Sequence, residues 1–302
     1  MMCDPAVAFG FEQSNSPLQQ QIEAHADQGW QAKLSLRFQD RGDKTVIRER
    51  AQQGPLAIQR PLYPEGNVCH TYLLHPPGGI VGGDGLHITA DVGTGAKVLV
   101  TTPGATKFYR SQQRFARQQQ VLRVAAGARL EWLPQENIFF PDAHVRLDTQ
   151  IHLEENAQFL GWEMHCFGRP ALNEGFLSGH LVGKTEVYLD GRRLLTEGLN
   201  VRGGDNLMIN KGLLGFSMAA TLYISTDDEK LAQLVQSLLS NIQNEFGTKQ
   251  IVIAATQIEN LIVVRALAQW SEVVLNSFQR VWQLVRTHWT GECPDAPRIW
   301  VT

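Results

Sequence analysis

His75-Pro76-Pro77-Gly78-Gly79-Ile80-Val81-Gly82-Gly83-Asp84-Gly85 packs five glycines and two prolines into eleven residues. No helix interior tolerates that composition. Glycine serves where the backbone needs a positive φ or a close approach, and proline fixes φ and removes a donor. The residues before it, 68–74 (Val-Cys-His-Thr-Tyr-Leu-Leu), read as a buried strand. The residues after it, 86–92, alternate apolar and polar side chains with the period of a half-buried strand. The stretch is therefore an elaborate turn between two strands, and not a phosphate loop opening a helix.

Outward from this turn the same cadence continues in both directions. Residues 32–39 and 45–50 alternate on either side of Asp40-Arg41-Gly42-Asp43, a hairpin signal, and 56–59 follows. On the C-terminal side strands are predicted over 96–102, 119–125, 129–133, 144–153, 158–166, 175–182, 184–189 and 192–201, with Asp190-Gly191 as a second hairpin turn. Short strands at this spacing predict a mainly β protein of wound or stacked multi-strand sheets, β-helix-like. No strict sequence repeat accompanies them, which speaks against a simple solenoid or propeller.

Near residue 226 the texture changes. Thr226-Asp227-Asp228 caps a helical pattern over 229–246 that closes at Gly247, strands follow over 251–256 and 260–267, and a second amphipathic helix runs over 270–288. Each helix has one apolar face, so both are expected to pack on the sheets. The expected organisation is a poorly ordered polar extension over 1–28 and one β-rich domain over 29–302, of which 226–302 is the helix–strand–strand–helix part.

Composition narrows the function classes. With 302 residues, 43% hydrophobic and 19% charged, the chain can bury a full core, and a net charge of −3 offers no attraction for nucleic acid or an anionic membrane. The first 28 residues lack the basic and apolar regions of a signal peptide, and no apolar run approaches the roughly 20 residues a bilayer span needs. Cys3, Cys69, Cys166 and Cys293 stand far apart, so reduced thiols in a cytoplasmic protein are expected in place of a disulfide or zinc framework.

Motifs that would carry catalysis are weak. Gly179-His180-Leu181-Val182-Gly183-Lys184-Thr185 imitates a phosphate-binding loop but has one residue too few between its glycines and is followed by a strand, so it reads as a turn between two strands. The nine histidines form no closed metal-ligand spacing, and neighbours such as Cys69 and His70 point to opposite faces of a strand. No Gly-x-Ser-x-Gly elbow occurs, and the pairs Glu154-Glu155 and Asp227-Asp228 read as a turn and a cap. Two segments are unusual for surface loops. One is Pro103-Gly104-Ala105-Thr106-Lys107-Phe108-Tyr109-Arg110-Ser111. The other runs over 131–144, with Trp132, Phe139 and Phe140 among Gln135, Glu136, Asn137, Asp142 and His144. The rings suit a core; the polar members need partners or water.

The glycine turn, the Pro103–Ser111 segment, Glu131-Trp132-Leu133-Pro134-Gln135-Glu136 with Phe139-Phe140-Pro141, then Gly168-Arg169-Pro170 and Pro297-Arg298-Ile299-Trp300, in this order, resemble the urease accessory protein UreD (UreH) family over residues 29–302. The resemblance implies a mostly β nickel-chaperone scaffold and no catalysis. It implies partners: apo-urease, the helical accessory protein UreF and, through it, the GTPase UreG. It also implies no tightly bound cofactor, only nickel in transit through an internal passage. On that reading Asp84, Glu136, Asp142, His144, Glu163 and Glu174 are expected to line the passage, since carboxylate and imidazole suit nickel and weak successive sites let an ion move on. The helix over 270–288 and the tail to residue 302 would dock a helical partner, unless they are spent on the core. The alternatives are a nucleotide- or carbohydrate-binding enzyme built on the glycine loop and a purely structural β protein.

Overall fold

The computed structural model describes residues 29–205 and 208–300; the N-terminal extension expected over 1–28 lies outside them. Alternation sets the first strands. In β1 (Gln31–Asp40), Ala32, Leu34, Leu36 and Phe38 are buried while their neighbours face outward. A hairpin joins it to β2 (Thr45–Gln53), and β3 (Ala57–Ile58) and β4 (Cys69–Leu74) follow.

The glycine turn does not fold β4 back on its successor; it carries the chain from one sheet to another. Beyond it lie β5 (Gly85–Val92), β6 (Lys97–Thr101), β7 (Thr106–Phe108), β8 (Ala116–Val124), β9 (Arg129–Leu133), β10 (Asn137–Phe139) and β11 (Ala143–Leu153). The winding continues with β12 (Gln158–Arg169), β13 (Glu174–Gly175) and β14 (Gly179–Leu189), and the hairpin partner β15 (Arg192–Arg202). The first sheet has the order β15-β14-β11-β8-β5-β1-β2. The second contains β12-β9-β6-β4-β3 in line. Within each, the strands contributed by successive turns of the chain, β5-β8-β11-β14 and β4-β6-β9-β12, run parallel. The chain therefore coils, each coil giving one strand to each sheet. This is a solenoid-like winding reached without a sequence repeat: parallel register needs matching burial at equivalent positions, and any apolar side chain of suitable size supplies that.

A narrow third face closes each coil. Here Ile80 bridges Phe108 of β7, β7 pairs with β10 and β10 with the end of β12, all parallel. Ile80, Phe108, Phe139 and Phe167 stack in register and are buried, the rings 5.3 and 5.8 Å apart. The two unusual aromatic segments of the sequence are the rungs of this ladder. They escape prediction as strands because three residues carry no periodicity.

The imitation phosphate loop at 179–185 is corrected from a turn to the interior of β14, which runs unbroken through Gly183 and pairs along its length with β11 and β15. At its end Asp190 and Gly191 both take positive φ, 49° and 77°, the geometry of the tight hairpin expected there.

After β15 come β16 (Met218–Ser225), α1 (Glu229–Phe246), β17 (Ile251–Ile258), β18 (Leu261–Ala268) and α2 (Ser271–Thr290). β16, β18 and β17 extend the second sheet antiparallel beyond β12. Asp228 caps α1 by accepting the Lys230 amide. Both helices lie on the outer face of the second sheet, where Leu231, Val235, Leu239, Val274, Phe278, Val281, Trp282 and Val285 form a second core with that sheet. The apolar stripe of α2 is thus spent on the sheet, as the core alternative required; Trp270, just before it, remains 42% exposed.

One charged cluster pins α2. Arg286, 3% exposed, is gripped by both carboxylate oxygens of the wholly buried Glu131 and by Glu65, whose other oxygen meets His70 Nε2 at 2.6 Å. Trp282 Nε1 donates to Glu131 at 3.0 Å. Burial alone would raise the Glu65 carboxyl, but His70 and Arg286 outweigh it and hold the group at about 2. A native value below the unfolded one gives stability that is complete above about pH 4.5 and is lost as pH falls towards 2, on the order of 3 kcal/mol at most. Urea unfolding at pH 7, 4.5 and 3 is expected to show this acid limb, and Glu65→Gln is expected to flatten it.

Candidate functional site

Each strand of the first sheet turns alternate residues inward, and at one level the inward residues of neighbouring coils are Leu36, Ala90, Leu122, Ile151 and Val187. That level is apolar throughout. The next level towards the glycine turn is not: it runs Ile88, Gln120, Thr149, Thr185. Buried polar groups at successive rungs need partners, and they find them in one another and across the core. Gln120 Nε2 donates to Thr149 Oγ1 at 3.3 Å, Thr149 Oγ1 donates to Glu163 Oε1 at 2.6 Å, and Thr185 Oγ1 donates to Glu163 Oε2 at 2.8 Å. Glu163 comes from β12 of the opposite sheet, so these bonds bridge the two layers.

Glu163 also stands on the walls of two cavities. One, of about 190 Å³, is lined among others by His75, Gln118, Gln120, Trp132, Gln135 and Asn137. The other, of about 390 Å³, opens between β14–β15 and β16–β18 and is lined among others by His165, Thr185, Glu197, Tyr223 and Arg265. Tyr223 donates to Glu197 at 3.2 Å and Arg265 Nε donates to the same carboxylate at 2.7 Å. A line of polar side chains thus runs from Gln118 and Gln120 past Glu163 to the Glu197–Arg265 pair at the far edge.

Electrostatics make Glu163 the sensitive point. Burial raises its carboxyl above the usual range, the Thr149 and Thr185 hydroxyls oppose that, and Glu197 adds to it. His165 is pushed down to about 4 by burial and stays neutral at physiological pH. Two imidazole atoms on these cavities, His75 Nε2 and His165 Nδ1, are buried without a hydrogen-bond partner.

The other five residues expected to line a passage lie elsewhere. Asp84 is buried inside the glycine turn. Its carboxylate accepts the Val81 amide at 2.9 Å and the Trp30 amide at 3.3 Å, and burial lifts its pKa against those bonds. Glu136 sits by Ser271 and Glu272 at the start of α2, its pKa raised first by burial. Asp142 is an exposed turn residue with φ 64°, whose carbonyl accepts the Ser111 amide at 3.1 Å. His144 neighbours it, its ring 5.7 Å from Phe115, which also meets His180. Glu174 pairs with Arg169, which in turn lies over the Phe140 ring. The structure brings none of these five to the two cavities.

The residues missed in the sequence are Gln118, Gln120, Thr149, Thr185, Tyr223 and the two histidines. The only signal was faint: polar residues at inward positions of otherwise alternating strands, without the register that aligns them. The glycine turn itself is tied up in structure. The amides of Gly78, Ile80, Val81, Gly83, Asp84 and Gly85 all donate within the fold, so no cradle of free N–H groups is left for a phosphate. Its glycines answer to packing instead: a Cβ on Gly82 would stand 2.6 Å from the carbonyls of Ser111 and Arg114, and Gly83 has φ 95°.

Among the described residues, no group of three or more histidine, cysteine or acidic side chains converges as a metal cage, and no helix is long and apolar enough to cross a membrane. Of the cysteines described, Cys69 and Cys166 are buried and Cys293 is exposed, all unpaired.

Comparison with known proteins agrees with the motifs. The family model for the UreD urease accessory protein matches residues 31–301. Urease accessory protein UreD of Aliivibrio fischeri (strain MJ11) is 45% identical over 278 residues, 91% of this chain and 97% of the relative. The proteins of the same name from Escherichia coli and Klebsiella aerogenes are 43% and 41% identical over 275 residues, each match covering 91% of this chain and 98% and 97% of the relative. With the wound sheets, the aromatic ladder and the structured glycine turn accounted for, the chain belongs to the UreD family of urease accessory proteins.

Proposed function

We propose that this protein is a non-catalytic scaffold for nickel insertion: it binds apo-urease and UreF, meets the GTPase UreG through UreF, and passes nickel along the polar line that crosses its core. The observation that supports the route is the position of Glu163 on the walls of both cavities, with threonine hydroxyls fixing its two oxygens. A buried carboxylate between two cavities is a station an ion can enter and leave, because one charged ligand binds weakly compared with a closed cage. Asp84 contributes by holding the turn that forms one end of the wall. Glu136, Asp142, His144 and Glu174 lie outside both cavities, and the proposed route does not use them.

The test is activation of apo-urease by Glu163→Leu and Glu163→Gln, with complex assembly checked by co-purification. Activity and nickel content of urease are expected to fall roughly 10- to 100-fold for Leu, and less for Gln, while the complex still forms. Full nickel loading by a folded, assembled Glu163→Leu would sink the passage.

A further inference from the structure

We propose that Arg129 and Lys97 form an anion-binding site for a small organic molecule carrying a phosphate or carboxylate group. The site is the cavity between the start of β4, the ends of β6 and β9, and the chain that follows α2. It lies on the outer face of the second sheet, apart from the two cavities that share Glu163, and it does not depend on the passage.

Lys97 and Arg129 are partners in the parallel register of β6 and β9. Their Cα atoms therefore lie about 4.8 Å apart and their side chains leave the same face. Val98 and Leu130, next along each strand, point the other way into the core between the sheets. Like charges directly opposite each other on neighbouring strands repel, so the pair calls for a counter-charge. The acids that act on Arg129 electrostatically, Glu131 and Glu65, hydrogen-bond instead to Arg286, Trp282 and His70.

Arg129 is 4% exposed, and its Nε is buried without a hydrogen-bond partner. Burial pushes its pKa down, against the attraction of Glu131 and Glu65. A water molecule would satisfy the nitrogen and leave the two positive charges unbalanced. An oxyanion answers both, because a guanidinium presents its N–H groups as a fork that matches carboxylate or phosphate oxygens. His70, on the same wall, supplies a second buried atom without a partner, Nδ1.

The cavity suits more than a bare ion. It holds about 1010 Å³ and adds Leu62, Tyr63, Tyr72 and Pro297 to its lining, the mix of apolar surface and few charges that small-molecule sites share. Arg298 brings a third positive charge. Glu292 and Asp295 oppose an anion, but both are exposed to water, where their charge is screened.

Isothermal titration of the full chain at fixed ionic strength tests the site. Phenyl phosphate and benzoate present the two oxyanions on one apolar ring, and benzyl alcohol presents none. At least one anion is expected to bind, and which one does assigns the group; benzyl alcohol is expected to bind far more weakly. Arg129→Gln is expected to weaken anion binding about 10- to 100-fold and Lys97→Met about threefold. Lys33→Met, an exposed lysine of the first sheet, is expected to change nothing. Should Arg129→Gln not fold, Lys97→Met and the wild-type titrations decide alone. Three results overturn the site: neither anion binding wild type up to about 10 mM, benzyl alcohol binding as tightly as the anions, or folded Lys97→Met binding them unchanged.

Discussion

Arg286→Met is expected to destabilise the protein by about 3–5 kcal/mol. The guanidinium grips both oxygens of Glu131, which has no exposed surface, in the wall between α2 and the second sheet. Removing it leaves Glu131 with the Trp282 N–H as its hydrogen-bond donor and the buried Arg129 as the nearby cation, and strips Glu65 of one of the two groups that hold its pKa down. The penalty is that of a buried carboxylate stripped of its two-pronged partner, not the net worth of the ion pair, so the double variant Arg286→Met/Glu131→Leu is expected to recover part of the loss. Chemical unfolding of the single and double variants checks both statements. A single variant within 1 kcal/mol of wild type would mean that the cluster is wet and that α2 is held by its apolar face alone.

Phe139→Ala is the second large effect, about 3–5 kcal/mol. Phe139 is fully buried in the middle of the ladder, with Phe108 5.3 Å above and Phe167 5.8 Å below. The rungs on either side are parts of strands, so they cannot collapse into the space, and the cavity persists. The same variant removes the ring packed beside His165. Leu172→Ala, at a side chain 65% exposed, serves as the control and is expected within about 0.5 kcal/mol of wild type. Thermal and urea unfolding followed by circular dichroism separate the two; an equal, small effect would show the ladder to be loosely packed.

Much of the architecture was legible because it is written in local chemistry. Alternation marked β1, β5 and β11, Asp190-Gly191 marked the hairpin, and the spacing from Leu231 to Ile242 with its Asp228 cap marked α1. Gly183 read as a break because a lone glycine in a strand imitates a turn, whereas pairing on both sides carries β14 through it. Glu163 was singled out through the family resemblance, as one of six residues expected along a passage. Its partners could not be, because Gln120, Thr149 and Thr185 are neighbours only through the register of three strands 29 to 65 residues apart in the chain.

What the sequence by itself determined is the β class, the two helices and, through its motifs, the family; each depends on contacts between residues close along the chain or on long motifs in order. What only the tertiary structure decided is the winding direction of the sheets, the ladder of rungs too short to show a period, and the polar level that crosses an otherwise apolar core. Those depend on which strand lies beside which, and a shift of one residue in pairing would turn Thr149 or Thr185 to the opposite face.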